Sequence, residues 1–285
     1  MNKRNINHKK PEGSLLVIYI VLSLYCGYNI LMMLMLFSGS LKGKTELMST
    51  GIWTPPKAPV WKNYVDAWNI GRIGTYTLNS AYVTILTMFL TILLGSMAAY
   101  VLGRIPFKGS GMIMTIILIG MYLPPFVVVI PLFNIMEKLG MLNNLTGLTI
   151  IYVAKQLPFT TYVLTSFYKG LPYELEEAAI VDGAGPVTIF AKIMMPLTGP
   201  AMLSVSINNL LQVWNEFLMA LIFIGDKNKY TLPIGLWNLS QTAEYSSGWS
   251  ILFAGMIISV IPVLIIFAIF QREFTQGVTQ GAVKG

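Results

Sequence analysis

Two groups of residues in this 285-residue chain have types and spacing suited to chemistry. Ser204, Asn208, Gln212, Asn215 and Glu216 recur at i, i+4, i+8, i+11 and i+12, one face of a helix, while Leu210, Leu211, Val213, Trp214, Phe217 and Leu218 fill the rest. A polar stripe that ends in a carboxylate inside an apolar stretch serves either to join helices or to line a hydrophilic path. Lys155 is the second charge inside an apolar stretch, on a face shared with Tyr152 and Gln156, and Gln156 shares a face with Thr160. Lys155 and Glu216 lie at similar depth in antiparallel stretches, roughly 12 Å from the same end at about 1.5 Å per residue. The expectation is that they pair, directly or through a substrate. The second group is acidic: Glu174, Glu176, Glu177 and Asp182, packed into one short polar segment.

Covalent chemistry has little to work with. The only histidine, His8, sits in a basic terminal tail, and the only cysteine, Cys26, lies in an apolar run, so no metal centre or nucleophile–base pair is expected. Gly39-Ser40-Leu41-Lys42-Gly43-Lys44-Thr45 imitates a phosphate loop, but it has three residues between its glycines where four are needed, and no strand precedes it. The catalytic set is therefore empty, and any ATP and Mg would sit on a partner.

The elements that must position these residues are membrane helices. Hydrophobic residues make up 55% of the chain and charged ones 11%, too apolar for an ordinary soluble domain. Six apolar stretches, near 15–37, 75–103, 111–133, 147–168, 197–224 and 249–270, are each long enough for a bilayer core of about 30 Å. No alternating barrel pattern occurs, so the spans must be helical. This predicts an all-α integral membrane protein with six transmembrane helices, flanked by tails at 1–14 and 271–285. The C-terminal tail is polar and has nothing with which to fold alone. The net charge of +7 is scattered over loops and tails, which suits membrane flanks and excludes a nucleic-acid face. The first run, Leu15 to Phe37, exceeds the 7–15 residues of a signal-peptide core, so a retained span is favoured. Among the basic residues only the cluster Lys3, Arg4, Lys9 and Lys10 favours an N-terminus inside. Gly95, Ala99 and Gly103 form a small-residue face suited to close helix packing. Pro124-Pro125 and Pro131 must kink or unwind the third span, for structural reasons or to line a path.

The acidic group lies in Leu171–Pro196, between two spans. Pro172 suits a first helical position, the glutamates favour the positive helix end, Gly183 ends the helix, and a second short helix fits Pro186 to about Met194. Such a helix–break–helix, with small residues Ala178, Ala179, Gly183 and Ala184, reads as a docking element for another protein's groove.

Glu177-Ala178-Ala179, Asp182-Gly183-Ala184, Phe190, Ile193 and Pro196-Leu197 resemble the EAA loop of ABC importer permeases. Trp214-Asn215-Glu216-Phe217, Tyr230-Thr231-Leu232-Pro233 and the ending Phe270-Gln271-Arg272 … Gly277 … Gly281-Ala282-Val283-Lys284-Gly285 resemble the carbohydrate branch of that family, in particular its maltose-type second permease subunits. The resemblance implies a sugar or oligosaccharide permease in a bacterial cell membrane, with both termini cytoplasmic and segment 171–196 as a cytoplasmic coupling loop. Its coupling residues would be Glu174, Glu177, Ala178, Ala179, Asp182, Gly183, Ile193 and Pro196. The implied partners are a second homologous permease, two ATP-binding subunits, a solute-binding protein and the bilayer. Met194-Met195 and Gly185 depart from the family pattern, and Lys155 is not carried over from it. The competing class is an ion- or proton-coupled secondary transporter, for which Glu216 would be the titrating group.

Overall fold

A computed structural model describes residues 12–246 and 248–282, with side chains at 15–243 and 248–271. His8, Lys284 and the N-terminal lysines and arginine lie outside the described residues. Those described are helical, with no strand among them: α1 (Glu12–Ser40), α2 (Lys44–Thr50), α3 (Lys62–Asn69), α4 (Ile73–Arg104), α5 (Ser110–Tyr122), α6 (Pro125–Lys138), α7 (Leu145–Lys169), α8 (Glu174–Val181), α9 (Pro186–Ile189), a π-helical turn (Phe190–Met194), α10 (Met195–Leu197), α11 (Gly199–Trp214), α12 (Leu218–Phe223), a 3₁₀ turn (Lys227–Lys229), α13 (Leu232–Ser246) and α14 (Trp249–Ala282). The chain divides into two compact units, residues 1–71 with 239–258 and residues 72–238 with 259–285.

In the first unit, α1 exposes apolar side chains around its whole girth, as a helix in lipid does. The polar segment after it is ordered by Lys42, whose Nζ donates to Thr50 Oγ1 (2.9 Å), Gly51 O (2.6 Å) and Thr54 Oγ1 (2.8 Å). The lysine of the false phosphate loop is thus 0% exposed and tied into its own segment.

The second unit is built on α4 and α7. The small-residue face of α4 meets α7 as expected. A Cβ at Gly95 would stand 2.7 Å from Thr160 Cγ2, and one at Gly103 would stand 3.2 Å from the Thr165 carbonyl oxygen. Asn144 starts α7 by accepting from the Thr146 N–H at 2.8 Å.

Three helices are long and apolar enough to cross a bilayer alone: Leu15–Ser40, Ile73–Arg104 and Trp249–Gln271. Two further candidate spans are bent pairs: the third bends at its prolines, as expected, and the fifth departs from the continuous span expected at 197–224. The third breaks at Leu123-Pro124, where α5 and α6 meet at 103°, because Pro124 is extended and Pro125 starts a new helix. In the fifth, the Pro186–Leu197 segment meets α11 at 71°, and α11 stops at Trp214 instead of running to 224. The fourth, α7, has the length, but Lys155, Gln156 and its threonines make it more polar than the others. The C-terminal tail, expected to lack structure of its own, continues α14 to Ala282, drawn out by the apolar span before it.

Candidate functional site

The 171–196 segment, expected to be a docking element, forms a helix, a sharp stop and a second helical segment. α8 begins at Glu174, two residues later than a first-turn Pro172 would place it. Gly183 adopts φ +79° and closes a Schellman motif, its N–H reaching the Ile180 carbonyl at 2.9 Å while the Ala184 N–H reaches Ala179 at 2.9 Å. Residues Glu176 and Ala179, three apart, face inward. Ala179 is buried in a cluster with Tyr100, Leu164, Tyr168, Ile189 and Met194. Glu174, Glu177, Ala178 and Asp182 are exposed, and Pro196 is exposed on α10. Ile193 is half-buried, packed against the cluster as an anchor. The outward surface is also apolar: Ile180 is 62% exposed, Val181 87% and Val187 80%.

A residue outside the sequence-derived candidates fastens this element. Arg104, the last residue of α4, has a side chain 0% exposed. Its guanidinium donates to the Tyr168 carbonyl (3.3 Å), the Leu171 carbonyl (2.8 Å) and the Pro172 carbonyl (3.0 Å), pairs with Glu176 (3.2 Å) and stacks 3.9 Å from the Tyr173 ring. Its signal in the sequence is a lone arginine ending an apolar run.

The polar residues of α7 and α11 meet as a ladder. Asn209 Nδ2 donates to Thr160 Oγ1 at 2.8 Å, Gln156 Nε2 reaches Gln212 Oε1 at a long 3.5 Å, and Tyr152 donates to Glu216 Oε2 at 2.6 Å. Positions 152, 156 and 160 ascend one face of α7 as 216, 212 and 209 descend the other strand of the ladder. Asn209 escaped the sequence stripe because it neighbours Asn208, one step off the chosen face.

Glu216 also accepts from the Met219 (3.0 Å) and Ala220 (3.2 Å) amides, capping α12 after the break. The expected direct pairing of Lys155 with Glu216 is therefore not found: among the described residues the one ion pair is Arg104–Glu176, and Lys155 is exposed. Of the remaining stripe, Asn215 follows the end of α11 and returns its Nδ2 to the Leu211 carbonyl (2.8 Å). Ser204 and Asn208 are half-exposed, and Gln212 is exposed.

At the far end of α4 a polar loop is held by side chains. Asn143, at φ +54°, accepts from the Gly225 (3.2 Å) and Asp226 (2.9 Å) amides, and its carbonyl accepts from Lys229 Nζ (2.9 Å). Asn79 donates to the carbonyls of Asn228 and Tyr230, both at 2.9 Å, and Ser80 accepts from the Leu232 amide at 2.7 Å.

Comparison with known proteins identifies the family. The family profile described as the binding-protein-dependent transport system inner membrane component matches residues 91–280. The diacetylchitobiose uptake system permease protein NgcG of Streptomyces coelicolor is 36% identical over 268 residues, covering 93% of this chain and 88% of that protein. The trehalose transport system permease protein SugB of Mycobacterium tuberculosis is 32% identical over 263 residues, with 92% and 95% covered. The arabinooligosaccharides transport system permease protein AraQ of Bacillus subtilis is 34% identical over 275 residues, with 95% of each covered. A chain of a bacterial ABC transporter involved in the import of the acidic polysaccharide alginate shares the fold, with TM-score 0.82 at 20% identity, over 93% of this chain and 98% of that one. These matches place the chain in the binding-protein-dependent transport system inner membrane component family, as a permease subunit of an ABC importer and not an enzyme.

Proposed function

We propose that this permease moves sugars or oligosaccharides delivered by a solute-binding protein, paired with a second homologous permease and driven by two ATP-binding subunits. The observation that carries the reading is the surface of α8. Apolar residues stand 62–87% exposed beside Glu174, Glu177 and Asp182, on a helix too short to be stable alone yet pinned to the bundle. Such a surface suits a groove on a partner. ATP binding would draw the partners together, and α8 would pass the movement to the spans as a rigid-body shift. The permeases of similar sequence named above carry saccharides, which supports the substrate class.

On this reading α7 is the fourth of six spans, both termini are cytoplasmic, and Lys155, Ser204, Asn208, Gln212 and Asn215 face the translocation path. Lys155 supports that placement. A charge near the middle of a span costs about 2.5–3.5 kcal/mol in apolar surroundings, and Glu216 already has other partners, so water or substrate must meet it. Glu216 itself acts as a structural acceptor at the break in the fifth span.

The test is purification of a tagged copy from its native cell in mild detergent, with identification of the proteins that accompany it. Recovery of an ATP-binding protein and a second permease, both lost on Glu177→Lys, is the expected result. Uptake of radiolabelled trehalose, arabinotriose or diacetylchitobiose that persists under an ionophore and stops on ATP depletion completes it. Recovery of the chain alone, with uptake that collapses under the ionophore, would instead support a gradient-driven transporter.

A further inference from the structure

We infer that Arg104 is the positioning residue through which α4 and the docking helix α8 move as one body. The inference rests on the importer reading above. One buried side chain holds both sides of the turn between α7 and α8. It takes the carbonyls of Tyr168 and Leu171, where α7 ends, that of Pro172, where α8 approaches, and Glu176 in the first turn of α8. The carbonyls of a helix end have no partner within the helix, and the planar guanidinium supplies several N–H groups in fixed directions. The Tyr173 ring, 3.9 Å away, fixes that plane. A buried cation is an expensive way to hold helices together, and apolar packing does it more cheaply. What the guanidinium adds is direction: displacement of α8 along or across the turn is carried to α4. The 32 residues of α4 then connect two ends of the unit, because Asn79 and Ser80, near its start, hold the loop at 225–232. A push on α8 thus reaches the opposite loop along a single helix.

The experiment uses the assembled importer, purified through a tag on this chain and placed in lipid nanodiscs. In a Cys26→Ala background, Leu175→Cys on α8 and Leu94→Cys on α4 are spin-labelled, and their separation is measured without nucleotide and after trapping with ATP and vanadate. With Arg104 present, one narrow distance is expected in both states, shifting by less than about 2 Å. Arg104→Met, which keeps length and apolar stacking, is expected to broaden the distribution and shift it by more than 4 Å on trapping, and Arg104→Lys to fall between. An Arg104→Met complex that traps nucleotide with the distance unmoved overturns the inference, as does a large shift in the unsubstituted importer. If Arg104→Met does not assemble, Tyr173→Leu with Glu176→Gln decides: a shift on trapping supports the inference, an unmoved distance overturns it. Absence of any ATP-binding protein from the unsubstituted preparation, by contrast, would remove the importer reading itself.

Discussion

Gly95→Ala tests whether the contact between α4 and α7 is as tight as the geometry gives it. The added methyl would stand 2.7 Å from Thr160 Cγ2 and 3.3 Å from Thr160 Cβ. Thr160 has little room to turn away: its β-branched side chain is stiff, and its Oγ1 accepts from Asn209 at 2.8 Å. Overpacking a filled contact costs about 1–3 kcal/mol, and alanine returns up to about 1 kcal/mol of helix propensity over glycine. Gly95→Ala should therefore destabilise by about 1–2 kcal/mol. Thr160→Ser removes the obstructing methyl and keeps the hydroxyl, at a cost of about 0.5–1.5 kcal/mol. The double variant should be no less stable than Thr160→Ser alone, a coupling of about 1–2 kcal/mol. Thr160→Val keeps the methyl and should not rescue. The assay is unfolding by SDS titrated into dodecylmaltoside micelles, followed by circular dichroism. Additivity of Gly95→Ala and Thr160→Ser within about 0.3 kcal/mol would refute the clash as the cause.

Three further outcomes are expected. Glu216→Ala leaves the Tyr152 hydroxyl and two α12 amides without their acceptor, and should cost about 2–3 kcal/mol in the same titration, with Glu216→Gln milder. Asn143→Ala frees the amides of Gly225 and Asp226, so hydrogen exchange at 225–229 should accelerate at least tenfold while exchange in α8 stays unchanged. Val181→Asp places a charge on the most exposed apolar position of α8, and should reduce recovery of the ATP-binding protein at least tenfold without changing the unfolding titration.

What the sequence discloses here depends on how far apart the interacting residues lie. The helix–break–helix of 171–196 is legible because its signals are local. Gly183 marks the stop of α8 and Pro186 the restart, and both stand where the physics of turns and first helical positions puts them. The start of α8 is not legible, because the Leu171 and Pro172 carbonyls are taken by Arg104, some 67 residues away. Pro124-Pro125 announces a break, but its 103° angle depends on what packs around it. The break after Trp214 has neither proline nor glycine; Glu216 makes it by capping α12. Depth along two helices put Lys155 and Glu216 at one level, yet their rotation about their own axes decides partners, and that rotation gave Glu216 to Tyr152. The face of α11 was read correctly as polar and misassigned by one residue, which is enough to hide Asn209.

The polarity of α7 has a consequence for how the chain enters its membrane. Lys155, Gln156 and a series of threonines leave this helix below the apolarity that α1, α4 and α14 reach, so on the proposed six-span topology it partitions poorly into lipid by itself. Its polar side chains are satisfied in two directions: Gln156, Thr160, Thr161 and Thr165 are buried, with α4 on one side and α11 on another. During synthesis α4 leaves the ribosome before α7, and α11 after it. The nascent fourth span must therefore be retained at the insertion site against α4 until α11 arrives to take up Thr160 and Gln156. Biogenesis of this permease is then a cooperative assembly of three helices, not six independent insertions.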